Sequence, residues 1–77
     1  MPPQIPLGVY RHYKGGRYVV FGVAHNSTNG PGEGQWLVLY RVHDAGIINA
    51  REVSEFQQSV VVEGALQPRF RYEGPAA

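Results

Sequence analysis

Short runs of tyrosine, valine and phenylalanine recur along this chain, and glycine-containing breaks separate most of them. Such runs favour extended backbone, because β-branched and aromatic side chains fit a pleated, half-buried surface, while glycine supplies the positive φ that tight turns demand. The pattern predicts strands near Val9 to Tyr13, Tyr18 to Ala24, Gln35 to Val42, Ser59 to Val62 and Arg69 to Tyr72, with a short one at Ile47-Ile48. One helical turn is expected over Ala50 to Gln57: Asn49 can cap it, Glu52 stands three residues on as in a capping box, and Val53 and Phe56 share a face. Strands with a single helical turn point to a mostly β, small single-domain protein, built as a curled sheet or a partly open barrel.

Three prolines within Met1-Pro2-Pro3-Gln4-Ile5-Pro6 remove backbone donors, so residues 1–7 read as a flexible proline-rich arm, residues 8–73 as one β domain and residues 74–77 as a disordered tail. The formal charge is +1, too balanced to attract nucleic acid or an anionic membrane from a distance. The absence of cysteine excludes a disulfide scaffold and a thiolate metal site, and fits a reducing, cytoplasmic setting. No segment approaches the ~18 apolar residues of a membrane helix, so a soluble protein with no membrane partner is expected.

Gly15-Gly16 between two β-type runs signals a hairpin. A two-residue turn there would place Lys14 opposite Arg17, Tyr13 opposite Tyr18 and Tyr10 opposite Phe21. Alternation would then put Tyr10, His12, Lys14 and Arg17 on one face. Lys14 facing Arg17 would cost a few tenths to ~1 kcal/mol. A phosphate or carboxylate lying over the turn would offset that repulsion; alternatively both side chains splay into water. Asn26 to Gly34 is rich in turn formers and reads as a solvent-facing loop. The segment Pro68-Arg69-Phe70-Arg71-Tyr72 alternates, which sends Phe70 and Tyr72 inward and both arginines outward. Arg69 could hold a phosphate, or anchor the last strand by pairing with Glu52 or Glu63.

His12, His25 and His43 have no spacing that preorganises a metal, so neither a metal site nor a cofactor is expected. Tyr10, Tyr13, Tyr18, Tyr40 and Tyr72 could be stacking platforms for bases, or could close the core with their hydroxyls at the surface. No nucleophile elbow, phosphate loop or dinucleotide fingerprint occurs.

The motifs Gly8-x-Tyr10-Arg11-His12-Tyr13-Lys14-Gly15, Gly22-Val23-Ala24-His25, Val38-x-Tyr40 and Pro68-Arg69-Phe70 resemble the small bacterial family catalogued as domain of unknown function 1653. The resemblance spans Gly8 to Tyr72. It implies a compact, mostly β domain and carries no established activity. Arg51 and Phe56 stand at positions matching the family, whereas Asn26-Ser27, Asn49-Ala50 and Glu55 depart from its usual residues.

The expected function is that of a non-enzymatic binding module on an SH3-like sheet. Its candidate contacts are His12, Lys14, Arg17, Tyr10, Tyr13, His25, Tyr40, Arg51 and Arg69, and its ligand is an anion such as nucleic acid or a protein carboxylate. One alternative is a small enzyme or accessory domain with His12 or His25 as general acid or base. The other is a protein interaction module that pairs through an exposed edge strand.

Overall fold

The structure is a computed structural model that describes residues 2–42 and 46–76. Its elements run β1 (Gly8–His12), β2 (Arg17–His25), β3 (Trp36–Val42), β4 (Ile48–Glu52), α1 (Val53–Phe56), β5 (Ser59–Val62), β6 (Ala65–Pro68) and β7 (Phe70–Gly74). The protein is mostly β, as the residue pattern indicates. Five strands form an antiparallel sheet in the order β4-β3-β2-β1-β7, and β5 pairs with β6 in a separate hairpin. Successive strands from β1 to β4 make a meander, and β7 returns to the free side of β1.

The sheet is curled but not closed. Its two edges are β4 and β7, and among the described residues no backbone ladder joins them. Side chains nonetheless meet across the gap: Phe70 of β7 lies 5.7 Å from the ring of Tyr40 on β3, and the Arg51 guanidinium of β4 sits 5.9 Å from the Phe70 ring centre. Phe56 of α1 covers the opening, stacked on Phe70 at 4.3 Å and edge-on to Tyr10 at 5.2 Å. These rings, with Ile5, Val20 and Val38, form the core. The proline-rich segment thus contributes Ile5 to the interior, ahead of β1.

The first hairpin departs from the expected register. Tyr10 opposes Tyr18 and Arg11 opposes Arg17. The loop has three residues, Tyr13-Lys14-Gly15, closed by bonds from Gly15 N–H to the His12 carbonyl (2.8 Å) and from His12 N–H to the Gly16 carbonyl (2.7 Å). Gly15 at φ 111° supplies the left-handed residue such a loop needs. Moving the register by three residues changes which faces match. Tyr18 and Val20 join Tyr10 on the core side, and Lys14 no longer faces Arg17. Phe21 is not Tyr10's partner either. A bulge between Val20 and Gly22 leaves it 41% exposed.

The helical turn is shorter than expected and starts later. Asn49 and Ala50 extend β4, paired with Tyr40 and Leu39, so Glu52 rather than Asn49 becomes the cap and its carboxylate accepts from Ser54 N–H. The β5–β6 hairpin turns through Glu63 (φ 50°) and Gly64 (φ 79°), and β6 had no expectation attached to it. Phe70 is buried, whereas Tyr72 remains 41% exposed with its ring against Tyr10. Among the described residues, no helix is long and apolar enough to cross a membrane.

Candidate anion-binding cavity at the sheet seam

His12 ends β1 at the mouth of the hairpin. Its Nδ1 accepts the Lys14 backbone N–H at 3.1 Å, so the neutral ring carries its proton on Nε2. The imidazole packs against Tyr13 (4.6 Å), Phe70 (5.0 Å) and Tyr18 (6.1 Å). Burial pushes its pKa below the ordinary histidine value, and the nearby charges of Arg69, Lys14 and Arg51 push it the same way. The ring is therefore a neutral donor near pH 7 within a positive field.

Arg51 reaches the same place from the opposite edge. Its Nε donates to the Tyr40 hydroxyl at 3.2 Å, and its Nη1 bonds the Glu55 carboxylate at 2.9 Å. Those bonds use two of the five guanidinium N–H donors and orient the remainder. The hydrogen bond to Tyr40 also holds the guanidinium protonated beyond its ordinary tendency. His12, Tyr18, Tyr40, Asn49, Arg51 and Phe70 line a cavity of about 300 Å³ together with Val42, and among the described residues no carboxylate belongs to the lining. That volume stands at the lower bound of small-ligand sites, which run from roughly 300 to 1,000 Å³.

Of the residues singled out in the sequence, His12, Tyr40 and Arg51 share this cavity. Lys14, Tyr13 and Arg69 form a layer beside it. The Lys14 ammonium lies 5.7 Å and the Arg69 guanidinium 6.0 Å from the centre of the Tyr13 ring. Tyr13 sits in the loop, so its ring lies tilted against His12 rather than against Tyr18. Arg69 precedes β7 and is not turned outward. Its Nε is buried with no hydrogen-bond partner among the described residues, and its Nη2 stands 3.5 Å from the amide oxygen of Gln58 rather than against Glu52 or Glu63.

The remaining candidates lie elsewhere. Tyr10 is in the core with its hydroxyl on the Pro6 carbonyl at 2.7 Å. Arg17 and its cross-strand neighbour Arg11 share the Glu73 carboxylate, at 3.3 and 3.0 Å. His25 packs edge-on to Trp36 at 4.9 Å, at the other end of β2. His43 lies outside the described residues. The cavity also brings in Asn49 and Phe70, which the sequence does not mark as contacts, and Tyr18, which it offers only as a possible stacking platform. Asn49 and Arg51 are two apart on one strand and so share a face, a signal available once that stretch is read as β4.

A five-stranded sheet curled around aromatic rings, with a polar, cation-bordered cavity at its seam, defines a small, mostly β domain. The chain belongs to the family described as protein of unknown function DUF1653, which it matches over residues 8–72. It is similar to the crystal structure of a protein of that family from Bordetella bronchiseptica, with 30% sequence identity and a TM-score of 0.74. That alignment covers 95% of this chain and 92% of the other. No curated protein matches the sequence.

Proposed function

We propose that this protein is a non-enzymatic binding module that receives one carboxylate or phosphate group in the cavity between His12 and Arg51. The observation that carries it is the convergence of the Arg51 guanidinium, one of whose donors is held by Glu55, and the His12 ring on one concave surface, with Lys14 and Arg69 adding charge nearby. A guanidinium binds planar or tetrahedral oxyanions through two parallel N–H bonds, and a neutral Nε2–H adds a third donor without a further charge. The small volume of the cavity favours a single anionic group, from a protein carboxylate or a small molecule, over a continuous nucleic-acid backbone. The formal charge of +1 points the same way. The cysteine-free composition fits a cytoplasmic site of action.

Titration with acetate, inorganic phosphate and a short single-stranded oligonucleotide, followed through the His12 ring resonances, tests the proposal. Saturable shifts with one of the small anions, lost in Arg51→Gln, are expected. Absence of any saturable shift at low salt would sink it. The position of His12 in a concave site also supports a second reading, a small enzyme with this ring as general acid or base. The two separate by what is recovered: a binding module returns its ligand chemically unchanged after long incubation, whereas an enzyme converts it and loses that ability in His12→Asn.

A further inference from the structure

The groove beside α1, β1 and β7 is filled by the chain itself. Pro3-Gln4-Ile5-Pro6 is a Pro-x-x-Pro sequence. Proline fixes its own φ and biases the residue before it toward extended backbone, so the segment is stiff before it docks. Two tyrosine hydroxyls hold its carbonyls: Tyr10 donates to Pro6 at 2.7 Å and Tyr72 to Leu7 at 3.2 Å. The two rings lie 5.1 Å apart. Ile5, only 8% exposed, is the apolar anchor of the segment in the core cluster. The seat is larger than its occupant, because Ile5 and Pro6 border a cavity of about 270 Å³ whose other walls include Tyr10, Phe56, Pro68 and Tyr72.

This is the chemistry by which aromatic-lined grooves take proline-rich ligands. A stiff segment loses little conformational entropy on docking, its prolines pack on ring faces, and ring-borne donors reach carbonyls along it. Residues 2–7 belong to no strand. Undocking them breaks the two tyrosine bonds and exposes Ile5, but opens no sheet ladder. We propose that the Tyr10–Tyr72 groove is a recognition site for extended proline-rich peptide segments, and that residues 2–7 occupy it in cis, in competition with a partner segment of the same chemistry.

The test uses the full chain, its Ile5→Ala variant, and a synthetic Pro-Pro-Gln-Ile-Pro-Leu peptide with a control carrying serine for isoleucine and for the last proline. Ile5→Ala truncates the anchor in cis. It is expected to bind the peptide saturably, with Tyr72 ring resonances moving, and the unaltered chain to bind about tenfold more weakly because its own segment leaves few grooves free. In the unaltered chain, excess peptide should also drive the Ile5 methyl resonances toward their solvent-exposed positions. That readout stands even if Ile5→Ala does not fold. Ile5 methyls that stay in place under excess peptide, or a folded variant that takes the serine control equally well, would overturn the proposal. A concentration-dependent dimer formed in place of peptide binding would assign the groove to the segment of a second copy, and would equally overturn a partner peptide.

Discussion

One backbone amide decides what the imidazole of His12 can do. While Lys14 N–H is bonded to Nδ1, only Nε2 can carry the proton of the neutral ring; a second proton would have to displace that bond. The folded-state pKa is depressed, first by burial and then by Arg69, Lys14 and Arg51. The stability linked to the neutral ring is therefore complete above the unfolded value near 6.5, and is lost as pH falls through the lower folded value. Denaturant midpoints should accordingly drop between pH 7 and pH 5 by more in the unaltered chain than in His12→Asn, by at most the effect of one proton. Equal slopes would show that the ring titrates as it does in the unfolded chain. An anion in the cavity should raise the His12 pKa, an NMR titration shift that Arg51→Gln abolishes. His12 stood out in the sequence because it falls between Tyr10 and Lys14. Arg51 was legible as a candidate only through the family resemblance, and Asn49 was not, since both come from a strand whose capping residues also spelled a helix start; Phe70 comes from the far edge of the sheet.

At the level of elements, glycine geometry separates two substitutions that look alike on paper. Gly15 has φ 111°, and a Cβ added there would meet nothing within 4 Å, so Gly15→Ala should cost only the left-handed backbone penalty of about 1–2 kcal/mol. Gly8, at φ 139°, would place its Cβ 2.3 Å from the Gly74 carbonyl oxygen and 2.9 Å from the Pro75 Cα. Gly8→Ala should therefore be the more destabilising of the two and should loosen β7 from β1. Urea midpoints followed by Trp36 fluorescence give the order, and hydrogen exchange at β7 amides locates the damage. The existence of this hairpin was legible in Gly15-Gly16, but its register was not. One glycine at positive φ serves a three-residue loop as well as a two-residue one, and the choice falls to the packing of Tyr18 and Val20 against Tyr40 and Val38. The same competition shortened α1, because β3 offered Ala50 and Arg51 a ladder worth more than one extra helical turn.

Across the whole molecule, the core is a single aromatic layer spanning an unclosed sheet. Phe56 touches Tyr10, Tyr40 and Phe70, and so joins three strands through one ring. Phe56→Ala should cost about 3–5 kcal/mol, against the roughly 4–12 kcal/mol total stability typical of a domain of this length. Circular dichroism and thermal melts should show a variant close to, or beyond, the limit of folding; a melt within a few degrees of the unaltered chain would mean that the seam holds without the helix. Fold class could be read from composition and punctuation because strands and turns are local. The meeting of β7 with β1 could not, since nothing in Phe70 to Gly74 names a partner some sixty residues away.

That pairing orders the steps of folding. β1 to β4 pair in sequence order as a meander, whereas β1 meets β7 across some sixty residues, a closure that costs more chain entropy and is expected last. Until it is made, one long side of β1 is bare and Phe56 lacks the ring it stacks on, so a chain caught at that stage offers a strand edge on which a second copy can pair.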